Sequence, residues 1–341
     1  MLNRHIGERM IGMILCGGYG KRFLPLTNVI PKLLLEIKEC YTILDRQLFA
    51  FRSAGFDRVL LLAGHLSEKI EERYGSEYKG LKIDYVVEEK PLGTLNAIRM
   101  GMEMINEGGM VSNGDVITDL NLKRMKAEFE GSTYPASMFV VRMRSPYGIV
   151  KLGGGYIKSF KEKPLLNYHI NGGFYCLSRD VLGLLEEFKV GNIEDTAFPR
   201  LAAAKQLAYC KEDVPFWASI DSPKDLENVK KEYENRTDKP WGYEKVLALT
   251  KERLEKELYI MAGYRTSLHY HEQRDEILHV LSGSGYIEFK GHKLNFKKRS
   301  KIRVKPNILH SIVADENTII HEISTPHPDD VVRVKDFYSV R

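Results

Sequence analysis

Short apolar runs alternate with longer amphipathic runs from about residue 10 to residue 220, and this pattern limits the possible folds more than any other. Runs such as MIGMILC and RVLLLAG are typical of buried strands, whereas ILDRQLFAFRSAG and GTLNAIRMGMEMI have the periodicity of amphipathic helices. Strands that alternate with helices fold as right-handed βαβ units around a mostly parallel sheet. Ligands bind beyond the carboxyl ends of such strands, where the pattern places CGGYG and Asp115.

The pattern changes at residues 231–240, KEYENRTDKP, which are polar and end in proline. From Trp241 onward the chain consists of short alternating runs, such as KELYIMAGY and TIIHEIS, which predict a small all-β domain. Seven of the ten histidines lie after residue 240. The sequence therefore predicts an α/β domain over residues 10–234 and an all-β domain over residues 235–341.

Composition and charge exclude several classes of protein. With 51 basic and 46 acidic residues, the net charge of +5 is too small to indicate nucleic-acid binding without a concentrated basic patch. The four cysteines are far apart, which favours buried free thiols in a reducing compartment. No long apolar segment occurs, and the opening MLNRHIGERM lacks the apolar core of a signal peptide. We therefore expect a cytoplasmic protein that binds neither nucleic acid nor membrane.

A glycine-rich loop follows the first predicted strand. Glycines at a strand end let the backbone approach a phosphate chain, and the amides of the next turn point at anions. The loop lacks the Walker A spacing, and Phe23 replaces the third glycine of the dinucleotide fingerprint. What remains is GGYGKRFLP over residues 17–25, followed by Pro31-Lys32. This string resembles the signature of the sugar-phosphate nucleotidyltransferases, also called nucleotide-sugar pyrophosphorylases.

Further motifs match the same family in the same order. The resemblance covers residues 15–229 and implies a Rossmann-like enzyme that transfers a nucleotidyl group from a nucleoside triphosphate to a sugar 1-phosphate. The last motif departs from the family string Trp-x-Asp-Ile-Gly-Thr-Pro-x-Asp-Leu, with Ser219 at its first Asp and Ser222 at its Thr. The motifs are EEKPLGT (88–94), NGDV (113–116), FKEKP (160–164), INGGFY (170–175) and WASIDSPKDL (217–226).

The resemblance also implies roles for single residues. Asp115 and Asp221 would hold Mg²⁺, a hard cation that one or two carboxylates and phosphate oxygens serve well. Because charge repulsion is the obstacle to this reaction, cations and positioning would supply most of the catalysis. The implied catalytic cations are Lys21, Arg22, Lys32 and Lys163; the nucleotide contacts are Leu15, Gly17, Gly18, Gly20, Glu88 and Gly93; and the sugar contacts are Glu162, Asn171 and Gly173.

Each of these residues also has a purely structural interpretation. A single lysine is usually a solvated surface residue, Asp115 follows a turn-forming Asn-Gly pair, and Asp221 precedes Ser-Pro as residues at helix starts do. The complete set of motifs in family order favours the functional interpretation.

The side chain at Glu88 favours one nucleotide. A carboxylate only accepts hydrogen bonds, and guanine offers the adjacent donors N1–H and N2–H, whereas an amide would suit uracil or thymine better. This points to GTP, with Glu89 as a rival for the role, and to a mannose-1-phosphate guanylyltransferase-like enzyme of nucleotide-sugar and polysaccharide biosynthesis. The alternatives are UTP or dTTP with glucose 1-phosphate, or GTP with a heptose 1-phosphate.

A second candidate site lies in the all-β domain. His269 and His271 project to one face of a strand, and Glu276 from the next strand can complete three metal ligands. The string resembles the first motif of the cupins, whose fold is a double-stranded β-helix barrel, and His310 would end the second motif. The metal would be Zn, Fe, Mn or Ni. The alternative is a barrel without metal or a core histidine pair, as we also expect for His279 and His321.

Two further strings at the ends of this domain indicate which kind of cupin the sequence resembles. KPWGYEKVLA and HEISTPHPDDVVRVKDFY resemble the cupin of type II phosphomannose isomerases, which implies a sugar-phosphate isomerase with Arg265 or Arg274 on the phosphate. An epimerase and a non-catalytic sugar-phosphate sensor remain alternatives. Lys301 and Arg303 alternate with apolar residues, which predicts a strand with a solvated basic face. The hexapeptide repeats that often follow this transferase are missing, so an oligomer is possible but its state is not readable.

Overall fold

The computed structural model describes residues 10–338, so residues 1–9, on which part of the localisation prediction rests, and the last three residues lie outside the described residues. Of the described chain, residues 10–35 and 56–222 form one compact unit, and residues 36–55 and 223–338 form a second. The predicted boundary near residue 234 stays a prediction.

The strands of the first half of the chain are β1 (Ile11–Leu15), β2 (Glu36–Lys38), β3 (Tyr41–Thr42), β4 (Arg58–Ala63), β5 (Glu77–Tyr78), β6 (Leu81–Val87), β7 (Gly109–Asn113), β8 (Val116–Thr118), β9 (Ala136–Arg144), β10 (Ile149–Gly153), β11 (Tyr156–Lys161) and β12 (Leu165–Leu177). The strands of the second half are β13 (Leu207–Lys211), β14 (Trp217–Ser219), β15 (Arg236–Lys239), β16 (Gly242–Leu249), β17 (Leu254–Ile260), β18 (Leu268–Tyr270), β19 (Glu276–Ser282), β20 (Ser284–Phe289), β21 (His292–Lys297), β22 (Lys301–Val304), β23 (His310–Ala314), β24 (Thr318–Ser324) and β25 (Val332–Lys335). The α-helices are α1 (Ile43–Ser53), α2 (Ser67–Tyr74), α3 (Thr94–Ile105), α4 (Leu122–Glu130), α5 (Leu182–Glu186), α6 (Ala197–Ala203) and α7 (Pro223–Tyr233).

The first unit is built on an eight-stranded sheet in the order β13-β9-β12-β7-β1-β4-β6-β5. Strands β7, β1, β4 and β6 run parallel to one another, whereas β12 is antiparallel to β7 and β5 is antiparallel to β6. The central strands are continuous apolar runs because both faces of the sheet are covered, and Met13, Leu60 and Val111 are fully buried with Ile98 of α3. The predicted mostly parallel α/β fold is confirmed.

Two small antiparallel sheets of the first unit carry residues of the candidate site next to their strands. Strands β10 and β11 form a hairpin, and β14 pairs with β8. The indole N–H of Trp217 on β14 donates to the carbonyl of Gly172 at 3.0 Å, which anchors β14 to the large sheet through β12.

The second unit contains a six-stranded sheet in the order β15-β16-β17-β24-β19-β22 and a five-stranded sheet in the order β21-β20-β23-β18-β25. Their neighbouring strands are antiparallel, and the two sheets share an apolar core that includes Trp241, Leu278, Ile312 and Ile320. The predicted all-β region is confirmed, and its arrangement is compatible with a cupin barrel.

Helices α1 and α7 belong to this second unit together with β2 and β3. Asp238 links these elements, because its carboxylate lies 3.2 Å from Arg46 Nε of α1 and 3.0 Å from Arg236 Nη2. The guanidinium of Arg236 is buried with its centre 4.8 Å and 4.0 Å from the ring centres of Tyr233 and Tyr243.

The four cysteines are free thiols, as predicted. Three of them are buried, but Cys40 is exposed, so the prediction of burial is wrong at this position. Burial raises the pKa of the Cys210 thiol to about 12.

Candidate active site and candidate metal centre

The glycine-rich loop after β1 has a shape set by Gly20 and Thr27. Gly20 has a φ of 59°, in the left-handed region, and its carbonyl accepts a hydrogen bond from the buried Thr27 hydroxyl at 2.9 Å. A Cβ on Gly20 would lie 2.8 Å from Thr27 Cγ2, so a larger residue would displace the loop. Thr27 was not predicted; its position between the two parts of the motif was the available sequence signal.

Asp115 and Asp221 are brought together by the pairing of β8 with β14. Asp115 immediately precedes β8, and Asp221 follows β14 by two residues. The amide of Ile220 donates to the carbonyl of Asp115 at 2.9 Å, which places the two aspartates on adjoining segments. The structure therefore brings together two segments that are distant in the sequence, and the Mg²⁺ site stays a prediction.

Two of the predicted cations lie on these carboxylates. Lys32 Nζ is 2.7 Å from Asp115 Oδ2, and Arg22 Nη1 is 3.3 Å from Asp221 Oδ1. Lys32 is largely buried, with 12% of its side chain exposed, whereas Arg22 is 71% exposed. The charges at this strand edge are thus paired in the structure, and Arg22 has room to turn toward a ligand. Lys21, beside Arg22, is exposed.

Ser219 of the last motif, WASIDSPKDL, contacts Asp221. Aligned with the family string, Ser219 stands at the aspartate and Asp221 at the glycine. The Ser219 hydroxyl donates to Asp221 Oδ2 at 2.9 Å. The carboxylate of Asp221 therefore lies beside the side chain that occupies the motif's aspartate position.

Glu162 and Lys163 follow the β10–β11 hairpin and are exposed. Lys163 has a φ of 42°, and its Nζ lies 4.0 Å from Glu162 Oε1. The described ion pair of each is with the other, so the structure does not add Lys163 to the cluster of Lys32 and Arg22.

The predicted sugar residues on β12 form a hydrogen-bonded chain. Asn171 Oδ1 accepts from the amide of Gly173 at 2.8 Å, and Asn171 Nδ2 donates to the Tyr175 hydroxyl at 2.7 Å. That hydroxyl lies 3.3 Å from Glu194 Oε1, and burial followed by the charge of Glu194 raises the pKa of Tyr175. Glu194 was not predicted, because nothing in its local sequence marks it.

Glu88 is oriented by a residue that the sequence reading missed. Glu88 Oε1 accepts from Asn96 Nδ2 at 2.6 Å, and Asn96 is buried at the start of α3. A polar residue on the buried face of a helix was the available signal. Gly93 precedes the helix with a φ of 103°, and a Cβ there would overlap the carbonyl of Gly191. The loop therefore requires glycine at 93.

The candidate metal centre in the second unit consists of three histidines and Glu276. Candidate ligand atoms of His269, His271 and His310 all lie within 4.8 Å of one another. His269 on β18 pairs directly with His310 on β23, and Glu276 opens β19. Glu276 Oε1 is 2.9 Å from His271 Nε2, and Oε2 is 3.5 Å from His310 Nε2.

Backbone carbonyls orient the three imidazole rings. His269 Nδ1 lies 2.8 Å from the Ser267 carbonyl, His310 Nδ1 lies 2.9 Å from the Ile308 carbonyl, and His271 Nδ1 contacts the Asp330 carbonyl. A carbonyl that accepts the Nδ1 proton leaves a lone pair on Nε2, which is the form that ligates metals.

The electrostatics of the cluster fit a cation. Burial, and then His310, lower the pKa of His269 to about 3. Burial alone would raise the pKa of Glu276, but hydrogen bonds with His271 and His310 hold it below its ordinary value. A neutral imidazole beside an ionised carboxylate is the donor set that a divalent metal ion requires.

Arg274 contacts the carboxylate of this cluster. It is buried, and its Nη1 lies 3.5 Å from Glu276 Oε1 and 3.2 Å from Glu322 Oε1. Arg265 forms an ion pair with Glu288. Both arginines that were expected to bind phosphate are therefore engaged by acidic side chains.

His279 and His321 differ from the prediction of core histidines. Both are half-buried and pair with each other across β19 and β24, on the face opposite the buried Leu278 and Ile320. His321 Nε2 lies 3.1 Å from Glu255 Oε2. His279 lies on the outer face because it is three residues from Glu276 on β19, and His321 lies there because it pairs with His279.

Residues 11–236 match the Nucleotidyl transferase family, and the chain belongs to this family. Its relatives include the mannose-1-phosphate guanylyltransferase catalytic subunit beta of Xenopus tropicalis, 32% identical over 228 residues, 64% of this chain and 62% of the relative. The mannose-1-phosphate guanyltransferase of Candida albicans is 34% identical over 231 residues, with the same coverage of 64% and 62%. The match thus spans less than two thirds of the length of these relatives.

Solved structures share the fold of the first part of the chain. The structure of UDP-glucose pyrophosphorylase complexed with UDP-glucose has a TM-score of 0.54 and 21% identity, and covers 66% of this chain and 99% of that chain. Apo UDP-glucose pyrophosphorylase has a TM-score of 0.54 and 20% identity, with coverage of 66% and 98%. No helix of residues 10–338 combines the length and hydropathy that a membrane crossing needs.

Proposed function

We propose that the chain transfers the nucleotidyl group of GTP to mannose 1-phosphate and releases pyrophosphate. The observation that carries this proposal is the pairing of β8 with β14, which puts Asp115 and Asp221 on adjoining segments with Lys32 and Arg22 on their carboxylates. Family membership supports the reaction class, and relatives named mannose-1-phosphate guanylyltransferases support the substrates.

The proposed reaction joins two negatively charged phosphates, so the site must neutralise their charge. An oxygen of the sugar 1-phosphate attacks the α-phosphorus, and the bond from that phosphorus to the bridging oxygen of pyrophosphate breaks. Mg²⁺ bound by Asp115 and Asp221 would neutralise phosphate charge. Lys32 and Arg22 would move from the carboxylates to phosphate oxygens, with Lys21 on pyrophosphate and Lys163 on the sugar phosphate.

The choice of guanine rests on Glu88. Its hydrogen bond from Asn96 leaves an acceptor-only carboxylate in a set orientation near the start of α3. Such a group complements two adjacent donors on a base edge.

The test is pyrophosphate release by the full chain with Mg²⁺, measured with GTP, ATP, CTP, UTP and dTTP against several sugar 1-phosphates. The expected result is a preference for GTP with mannose 1-phosphate. A preference for UTP or dTTP with glucose 1-phosphate would overturn the substrates but keep the reaction class. Asp115→Asn should abolish release with every pair, and Asp213→Asn, at an exposed loop residue, is the matched control.

We also propose that the second unit binds a divalent metal ion through His269, His271, Glu276 and His310 and isomerises a sugar phosphate, with mannose 6-phosphate as the best candidate. The convergence of the three histidines carries this proposal. A metal ion bound there would polarise the C1 and C2 oxygens of the sugar. The two activities would not be consecutive, since mannose 6-phosphate must first become mannose 1-phosphate.

Buried charged side chains lie near the histidine cluster, which supports the proposal that a charged ligand binds there. Lys256 and Glu322 are buried, and Lys256 Nζ lies 3.8 Å from Glu244 Oε2. Burial, followed by the charge of Glu276, raises the pKa of Glu322. A buried carboxyl with a raised pKa is suited to accept and return a proton between two sugar carbons.

The test combines metal analysis with an isomerase assay. The purified chain should contain about one equivalent of transition metal and convert mannose 6-phosphate to fructose 6-phosphate, and His269→Ala should lose both properties. His292→Ala, on an exposed residue of β21, is the control. Metal binding without isomerisation, together with transferase kinetics that respond to sugar phosphates, would replace the isomerase with a sensor.

A further inference from the structure

The hydroxyl of Tyr175 lies where three segments of the first unit meet. Tyr175 is fully buried on β12, and the centre of its ring lies 4.8 Å from that of Phe198. Its hydroxyl is 2.7 Å from Asn171 Nδ2 and 3.3 Å from Glu194 Oε1, and it also forms a hydrogen bond with the Asn113 side chain. A phenol has one proton to donate and two lone pairs that accept. Two amides and one carboxylate therefore use its full hydrogen-bonding capacity.

An irregularity in β12 brings the hydroxyl to Asn171. The pairing of β12 with β9 shifts register between Asn171 and Tyr175, and Gly173, midway between them, has a φ of 78°. Two residues four apart in a regular strand lie about 13 Å apart along the strand. A register shift bends the strand and changes the direction of its side chains. The bend and the length of the tyrosine side chain together allow this contact.

Glu194 extends the contacts of Tyr175 to the start of α3. Glu194 Oε2 accepts from the Thr94 hydroxyl at 3.0 Å, and the Thr94 hydroxyl accepts from the amide of Ile193 at 3.0 Å. The amide of Leu95 also donates to the carbonyl of Gly191 at 3.2 Å. The segment that carries Glu194 is therefore bound to the start of α3 by both side-chain and backbone hydrogen bonds.

We call the hydrogen-bonded series of Thr94, Glu194, Tyr175 and Asn171 the Tyr175 network. One end of the network adjoins Gly93, the predicted nucleotide contact, and the other end is Asn171, a predicted sugar contact. Because no part of Tyr175 is exposed, Tyr175 itself does not reach a ligand. The network therefore connects two parts of the candidate active site through the protein interior.

We propose that Tyr175 is a positioning residue that, through Glu194, holds the sugar contacts of β12 in place relative to the nucleotide contact at Gly93. This inference rests on the proposed transferase function. The attacking oxygen and the α-phosphorus must meet in line, and a misplacement of about 1 Å between bound reactants can lower a rate about 100-fold. Residues locked by hydrogen bonds behind a site keep its geometry before the substrates bind.

The charge of Glu194 strengthens the centre of the network. Burial, followed by the charge of Glu194, raises the pKa of Tyr175, so the phenol keeps its proton and donates it to the carboxylate. Hydrogen bonds that end on an ionised group are roughly twice as strong as neutral ones. The loss of the Tyr175 hydroxyl should therefore loosen both ends of the network.

The experiment is a double-mutant cycle on kcat, measured as pyrophosphate release by the full chain at saturating Mg²⁺ with the substrate pair that the wild type uses best. Tyr175→Phe and Thr94→Val break the Tyr175 network at different points. Each should lower kcat by about 10- to 100-fold and change the KM for the nucleotide by less than about threefold. The double variant should be no slower than the slower single variant, because a network that is already broken has no further effect to lose.

Two conservative variants are the controls. Thr94→Ser keeps the hydroxyl that Glu194 needs and should retain kcat within about threefold. Tyr243→Phe removes the hydroxyl that donates to Glu257 from a buried tyrosine of the second unit, and it should leave kcat unchanged. Effects of Tyr175→Phe and Thr94→Val that multiply in the double variant would show two independent roles and overturn the proposal. An unchanged kcat in either single variant would also overturn it.

Hydrogen exchange tests the Tyr175 network without an activity assay. Tyr175→Phe should raise the exchange rate of the Ile193 amide, which lies on the far side of Glu194, by about tenfold, and Tyr243→Phe should not change it. Unchanged exchange at Ile193 in Tyr175→Phe would overturn the connection even in an active enzyme. A wild type that is inactive with every substrate pair but shows the expected exchange would overturn the transferase proposal and support the connection.

Discussion

The proposed choice of GTP rests on the Glu88 carboxylate, which a single substitution can test. Glu88→Gln replaces one of two acceptor oxygens by a donor and should lower kcat/KM for GTP by about 10- to 100-fold, the equivalent of about 1.5–3 kcal/mol for hydrogen bonds to a charged group. The kcat/KM for UTP should change little. Steady-state pyrophosphate release measures both values. Glu89→Gln is the matched control, and an equal fall for both nucleotides would remove the base-reading role.

Asp221 and Ser219 share one hydrogen bond but should differ in function. If Asp221 holds Mg²⁺, Asp221→Asn should lower kcat on the order of 100-fold and raise the Mg²⁺ concentration needed for half-maximal rate. Ser219→Ala should change either quantity by less than about tenfold, since it only removes a donor to Asp221. Magnesium titrations of the initial rate distinguish the two variants. A larger effect of Ser219→Ala would transfer the role to that position.

The junction of α1 with β15 should make stability depend on pH. Burial alone would raise the pKa of Asp238, but Arg46 and Arg236 hold it below its ordinary value. A carboxyl group with a lowered folded-state pKa stabilises the protein above its unfolded-state pKa and loses that contribution as the pH falls through the folded-state pKa.

Asp238→Asn should therefore destabilise the second unit by about 3 kcal/mol near neutral pH, because it removes the buried carboxylate that lies against both Arg46 and Arg236. The gap between wild type and variant should shrink as the pH falls below about 4. Thermal unfolding from pH 7 to pH 3 measures this gap. A constant gap would mean that the carboxylate charge is not responsible.

Strands β18, β19 and β23 bring the candidate metal ligands together, and loss of one of them should abolish metal binding if the proposed site is correct. His310→Ala removes the ligand from β23 and should reduce bound transition metal from about one equivalent to less than about a tenth. Elemental analysis of the purified chain gives the content, and His292→Ala should keep it. Unchanged metal content in His310→Ala would place the metal elsewhere.

Because residues 36–55 belong to the second unit, removal of the rest of that unit should lower the stability of the remaining chain. A chain that ends at residue 234 keeps α1 but lacks Asp238, the partner of Arg46. Such a truncated chain should unfold at a lower temperature than the full chain and expose apolar surface, because α1 and α7 lose β15. Calorimetry and dye binding measure both effects. A truncated chain as stable as the full one would show that residues 10–234 fold independently.

Much of the architecture could be predicted because it follows from local periodicity. The apolar run of β4 and the helical spacing of α3 lie in single stretches of chain, and the spacing of the candidate metal ligands from His269 to Glu276 is also local. The exposed Cys40, the support of Glu88 by Asn96 and the outward position of His279 could not be predicted in the same way. Each depends on which segments pack together.

The sequence by itself determined the alternation of strands and helices, the all-β character of the second part and the identity of the chemical groups in both sites, because these depend on residue type and spacing along the chain. Only the tertiary structure decided that β14 returns to β8 and puts Asp221 on a segment that adjoins Asp115, that α1 contacts α7 and β15, and that His279 and His321 pair on the outer face of a sheet. These features depend on strand pairing between distant segments, and the free energy of such pairing comes from the burial of surfaces that exist only in the folded chain.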